Sequence, residues 1–134
     1  KRQHAFRLSE TIKKRGKKLG VVLNPETPLN LIFDYIHLID IVTVMTVDPG
    51  FAGQTFISES LEKVKKLTVC RKENNLGFDI QIDGSCNEKT YQTMIEAGAD
   101  MLIVGTSGLF NLNESIEKSV EIMQGHLDAA LSKT

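Results

Sequence analysis

Three glycine-bearing segments of the sequence have residue types that suit anion binding. They are Asp48–Gln54, Asp83–Ser85 and Gly105–Gly108. Glycine lets backbone N–H groups approach a ligand without a Cβ in the way, and serine and threonine hydroxyls add donors that rotate. For one such segment a tight turn is the simpler interpretation. Three of them in succession favour a phosphate-binding site.

The predicted phosphate site uses uncharged donors, because none of the three segments contains Lys or Arg. The pattern G-x-x-x-x-G-K-[ST] is also absent from the sequence, which excludes a P-loop. In a barrel, the loops after the last two strands form the recurrent phosphate site. The residues that fit this description are Gly84, Ser85, Gly105, Thr106 and Ser107.

Asp83 is the carboxylate that accompanies these donors at the end of a predicted strand. A carboxylate there could ligate a metal or transfer a proton, or it could brace the loop. Asp48 also ends a strand, but it precedes Pro49 and could simply begin a turn. Cys86 lies near a helix N-terminus, yet no His is adjacent in sequence, so we do not expect a nucleophile.

The elements that must position these residues alternate between short apolar runs and longer amphipathic stretches. This order, α-βα-βα-βα-βα, predicts parallel strands buried on both faces and an α/β architecture, either doubly wound or a barrel. Ligands of such sheets bind beyond the carboxyl ends of the strands, where all three segments lie. The predicted strands are 19–23, 41–47, 78–82 and 101–104. Two predicted helices span 1–15, with Phe6, Leu8 and Ile12 inward, and 58–74. Three more helices are predicted to start at Thr27–Pro28, at Asn87 and at Asn113.

Composition places the chain among ordinary globular domains. It has 134 residues, 41% of them hydrophobic and 25% charged, with a formal net charge of -1. We therefore expect neither a nucleic-acid partner nor a membrane, and no apolar run approaches the roughly 20 residues that span a bilayer. The two cysteines lack metal-ligand spacing and no signal peptide opens the chain, which predicts a cytoplasmic protein. Because the chain starts with Lys1, we expect that this is not its natural N-terminus.

The three segments and the strands before them resemble the ribulose-phosphate 3-epimerase family. Val44–Gln54 is similar to the signature of strand 6 in that family, Gln81–Ser85 to that of strand 7, and Ile103–Phe110 to that of strand 8. The resemblance implies a (β/α)8 TIM barrel of the ribulose-phosphate-binding type. Residues 1–134 would hold its last four βα units, strands 5–8, as the C-terminal half of a single barrel domain.

Details of the motifs resemble the D-allulose-6-phosphate 3-epimerase branch. Asp48, Ala52, Ser85 and Thr106 stand where the pentose-phosphate branch has Asn, Gly, Gly and Gly, and Leu23–Pro28 fits the same branch. This implies an isomerase that converts D-allulose 6-phosphate to D-fructose 6-phosphate. The alternatives are a ribulose-5-phosphate 3-epimerase, a different phosphate-binding barrel enzyme, or a non-catalytic phosphosugar-binding half-barrel.

The resemblance also implies a mechanism and a set of site residues. One aspartate removes the C3 proton, an enediolate forms, and a second aspartate returns a proton from the opposite face. A divalent metal ion (Zn, Mn, Co, Fe or Mg) stabilises the charge, and family members are homo-oligomers. Asp83 matches an aspartate that is both acid/base and metal ligand. The positions that match substrate- and phosphate-binding residues are Met45, Gly50, Phe51, Ala52, Gly53, Gly84, Ser85, Gly105, Thr106 and Ser107.

The family's other catalytic aspartate and its two metal-binding histidines come from strands that would precede Lys1. The sequence therefore carries one of two proton carriers. We expect the 134-residue piece alone to have no epimerase activity.

Overall fold

The computed structural model describes residues 4–134 and contains a parallel sheet of four strands in the order β1-β2-β3-β4. A doubly wound sheet reverses its strand order at a switch point, whereas this sheet keeps the chain order throughout. Four parallel strands that alternate with helical segments are consistent with part of a TIM barrel. The strands are β1 Gly20–Leu23, β2 Ile41–Met45, β3 Asp79–Asp83 and β4 Met101–Ile103.

The helical segments differ in type along the chain. The α-helix predicted from Thr27–Pro28 onward is wrong, because two short 3-10 helices occupy this region and still bury Leu29, Ile32 and Ile36. The β-branched and aromatic residues there have low intrinsic helix propensity. The α-helices are α1 Ala5–Lys14, α2 Leu61–Glu73, α3 Tyr91–Ala97 and α4 Ile116–Leu131; the 3-10 helices are Leu29–Leu31, Phe33–Leu38 and Ser58–Ser60; a π-helix spans Thr106–Phe110.

The core lies between one face of the sheet and the helices. Alternate residues of β2 and β3 point into it, and α2 and α3 cover them from the other side. Burial on this scale is the main stabilising contribution to the fold. The residues with at most 1% of their surface exposed include Leu23, Val42, Val44, Val64, Leu67, Phe78, Ile80, Ile82, Tyr91 and Met94.

The opposite face of the sheet is only partly covered within residues 4–134. In β2, Thr43 on this face is 8% exposed, but the prediction of strands buried on both faces is wrong for β1 and β4. Burial alternates along β3, with Gln81 and Asp83 on the more exposed side. On the same face, Val22 is 61% exposed and Ile103 is 40% exposed. In a closed barrel this face would line the interior.

The two end helices also depart from the sequence prediction. Phe6 and Leu8 of α1 are exposed rather than inward. The Phe6 ring meets the Tyr35 ring edge-on, with the centroids 6.5 Å apart, and is still 59% exposed. The N-cap of α4 is Ser115, whose hydroxyl accepts from Lys118 N; Asn113 instead accepts from Ser115 N. None of the helices in residues 4–134 has the length and apolarity that crossing a lipid bilayer requires.

Candidate functional site

A cleft of about 360 Å³ opens at the carboxyl edge of the sheet. It is lined by the β2 loop (48–54), residues 84–86 of the β3 loop and the β4 loop (105–107), and parallel topology brings these loops to one edge. The structure places every residue singled out from the sequence at this cleft: Met45, Gly50, Phe51, Ala52, Gly53, Asp83, Gly84, Ser85, Gly105, Thr106 and Ser107.

The β2 and β3 loops are joined at their bases by a fully buried threonine. Thr46 donates its N–H to Asp83 O at 2.9 Å and its hydroxyl to Gly84 O at 2.6 Å. Gly84 has φ +126°, and a Cβ there would lie 2.9 Å from the backbone nitrogen of Val47. Only glycine fits this close approach of two backbones without displacement.

A second link joins the same two loops nearer the cleft. The Ser85 hydroxyl donates to Gln54 O at 2.9 Å. The Gln54 side-chain amide in turn donates to Asp48 O and to Phe51 O, which closes the β2 loop on itself. The β2 and β3 loops are therefore not independent of one another.

Asn87 joins the β3 and β4 loops. Its side-chain N–H₂ donates to Ser85 O at 3.0 Å and to the Ser107 hydroxyl at 3.1 Å. The sequence predicted a helix N-cap at Asn87, which is wrong, because α3 begins at Tyr91 and its N-cap is Thr90. Asn87 Oδ1 instead accepts from Lys89 N in the turn before the helix. The contact with Ser107, 20 residues away, had no local signal in the sequence.

Asp83 ends β3 on the partly covered face of the sheet. It pairs in register with Met45 of β2 and Ile103 of β4, so the three side chains form one layer at the floor of the cleft. The carboxylate is half-buried and adjoins the glycine and hydroxyl donors of the loops. This places a proton acceptor next to a group of neutral hydrogen-bond donors.

The model of the ribulose-phosphate 3 epimerase family matches residues 1–110 of this chain. The chain belongs to the ribulose-phosphate 3-epimerase family. Similar proteins are the ribulose-phosphate 3-epimerases of Aquifex aeolicus (37% identical over 129 residues, 96% of this chain and 57% of the relative) and Bacillus subtilis (40% over 105 residues, 78% and 48%). That of Treponema pallidum is 38% identical over 104 residues, 78% of this chain and 48% of the relative. The chain thus spans about half the length of these relatives.

These findings confirm the resemblance at the level of the ribulose-phosphate 3-epimerase family. The relatives named above carry the ribulose-phosphate name, and the D-allulose-6-phosphate branch stays a prediction. The roles assigned to individual cleft residues also stay predictions, although the structure brings those residues together.

Two ionisable groups besides Asp83 line the cleft of this chain, Cys86 and Asp48. Burial raises the pKa of the Cys86 thiol from its ordinary value of 9.0 to about 11, which keeps it neutral near pH 7 and argues against a nucleophile. Asp48 is exposed, and its hydrogen bond with the Glu26 side chain raises the pKa of its carboxyl. Glu26 follows β1, so this contact links the loop after β1 to the loop after β2.

Enzymes of the ribulose-phosphate 3-epimerase family generally use a divalent metal ion. Within residues 4–134 there is no group of three or more His, Cys, Asp or Glu residues that could hold one. Asp83 is one suitable oxygen ligand, and His37 and His126 do not line the cleft. The described residues therefore do not form a metal site by themselves.

Proposed function

We propose that this chain is the C-terminal half of a ketose-phosphate 3-epimerase barrel and supplies its phosphate-binding loops and one of its two proton carriers. The observation that carries the proposal is the convergence of three interlinked loops and Asp83 on one cleft. Membership in the ribulose-phosphate 3-epimerase family supports the reaction class.

The phosphate group of the substrate would bind the uncharged donors of the β3 and β4 loops. Backbone N–H groups of Gly84 and Gly105, together with the hydroxyls of Thr106 and Ser107, offer several donors to one anion. Because these loops are linked by Asn87, the donors are held in position before the ligand arrives. Such preorganisation reduces the free-energy cost of binding.

The carbon chain of the ketose would extend from the phosphate towards Asp83. We assign to the Asp83 carboxylate the transfer of the C3 proton: it accepts the proton on one face, and the electron pair moves into an enediolate. A second acid, from outside residues 4–134, delivers a proton to the opposite face of C3, so that the configuration inverts and no atom is gained or lost. Met45 and the residues Gly50, Phe51, Ala52 and Gly53 would enclose the reacting carbons. Asp83 also stays our proposed ligand for the family's divalent ion, whose other ligands would come from outside these residues.

Ribulose 5-phosphate is the substrate best supported by the relatives, which are named ribulose-phosphate 3-epimerases. D-allulose 6-phosphate is a second candidate, and the observation that favours it is the set of four departures from the pentose-phosphate pattern. All four line the cleft: Asp48, Ala52, Ser85 and Thr106.

The test is an epimerase assay of the full-length protein on both ketose phosphates, with the divalent ion titrated. We expect turnover of both, with the higher kcat/KM on ribulose 5-phosphate; a higher value on D-allulose 6-phosphate would establish the second candidate instead. Phosphate binding without turnover of either sugar would contradict the proposed enzyme and indicate a non-catalytic phosphosugar-binding protein instead. Residues 1–134 expressed alone should be inactive, and a rate near that of the full-length protein would refute the need for a second proton carrier.

A further inference from the structure

We propose that the Ser85 hydroxyl is a latch that holds the β2 loop against the β3 loop. The sequence pattern suggested Ser85 as a donor to phosphate. A serine hydroxyl has a single proton, and in this structure that proton goes to Gln54 O at 2.9 Å, across 31 residues of chain. Ser85 would then be a positioning residue for the substrate, and this role rests on the proposed function. The latch between the two loops does not depend on the proposed function.

The backbone of Ser85 gives an independent reason to look for a role of its side chain. Its φ is +52°, in the left-handed region that residues with a Cβ rarely adopt, and Asn75 is the one other such non-glycine residue among those described. Glycine would adopt this conformation freely but would offer no hydroxyl to Gln54. The latch explains why a serine is present at a position whose backbone favours glycine.

The latch joins a well-anchored loop to an exposed one. Ser85 O accepts from the Thr90 hydroxyl at 2.6 Å and from Asn87 Nδ2 at 3.0 Å, which fixes the β3 loop to the start of α3. The β2 loop has no regular secondary structure, and its Phe51 is 73% exposed. Loss of the Ser85 hydroxyl should therefore let the β2 loop open while the β3 loop stays in place.

The test compares Ser85→Ala and Ser85→Gly in the full-length protein, with Ser132→Ala as a matched control. The Ser132 hydroxyl bonds only locally, to Ala129 O, far along the chain from the cleft. Chymotrypsin cleavage after Phe51 reports opening of the β2 loop. We expect cleavage about fivefold faster in both Ser85 variants, the factor expected for one lost hydrogen bond, and an unchanged rate in the control. An unchanged rate in Ser85→Gly would overturn the latch.

Calorimetric titration with inorganic phosphate separates the latch from a direct phosphate contact. We expect the phosphate affinity of Ser85→Ala to stay within about twofold of the wild type, while KM for the ketose phosphate rises more than kcat falls. A phosphate affinity lowered about tenfold with unchanged cleavage would identify Ser85 as a phosphate donor and overturn the latch. If the full-length protein turns over no ketose phosphate, the proposed function fails, but the cleavage comparison still decides the latch.

Discussion

Replacing Gly84 by alanine should destabilise the protein through two effects that the structure separates. Gly84 has φ +126°, where an L side chain costs about 1–3 kcal/mol. The new Cβ would also lie 2.8 Å from Val47 Cγ2 and 2.9 Å from Val47 N. A backbone nitrogen cannot rotate away, so relieving this overlap should add about 1–3 kcal/mol, as in other overpacked sites. The expected loss of unfolding free energy is therefore about 2–6 kcal/mol.

Gly53→Ala is the matched control, because Gly53 has φ +84° but nothing within 4 Å of the position of a Cβ. It should show the conformational cost alone, about 1–2 kcal/mol. Urea unfolding of the full-length wild type and both variants, followed by circular dichroism, gives the two differences in unfolding free energy. Equal losses in Gly53→Ala and Gly84→Ala would refute the close approach of the β2 and β3 backbones.

Raising the pH and replacing Gly125 should change the unfolding free energy in opposite directions. Burial raises the pKa of Cys86 from 9.0 to about 11, so the unfolded chain releases this proton at lower pH than the folded one. By linkage, the buried neutral thiol contributes fully to the unfolding free energy below pH 9, and this free energy should fall by up to about 2–3 kcal/mol between pH 9 and 11. Urea unfolding across this range should show a smaller fall in Cys86→Ala than in the wild type. An equal fall in both would contradict the raised pKa of Cys86. Gly125→Ala, at an exposed position inside α4 with nothing within 4 Å, should raise the unfolding free energy by about 0.5–1 kcal/mol, and a raised urea midpoint would show it.

The strands and the position of the cleft were predictable from the sequence because both depend on local signals and one topological rule. Each apolar run lies within two residues of an observed strand, for example 78–82 against Asp79–Asp83. The carboxyl ends of parallel strands share an edge, so the glycine-bearing segments had to meet there. Their convergence follows from the order of elements alone.

The contacts that join the loops were not predictable, because each connects residues far apart in sequence. Ser85 bonds Gln54, and Asn87 bonds Ser107, without any repeating pattern that could indicate either pair. The exposed Phe6 shows a second reason why the sequence did not predict every feature of the structure. Periodicity identifies the apolar face of a helix but does not determine whether another element covers it.

The requirement for a carboxylate at the end of β3 is tested most directly by Asp83→Asn in the full-length protein. Asparagine keeps the shape of the side chain but cannot accept the C3 proton. We would follow deuterium incorporation at C3 of the ketose phosphate in D₂O by NMR, with calorimetry on inorganic phosphate as the control for an intact site. We predict exchange and turnover lowered at least about 100-fold with unchanged phosphate affinity; exchange at the wild-type rate would contradict the role of Asp83 as a proton carrier.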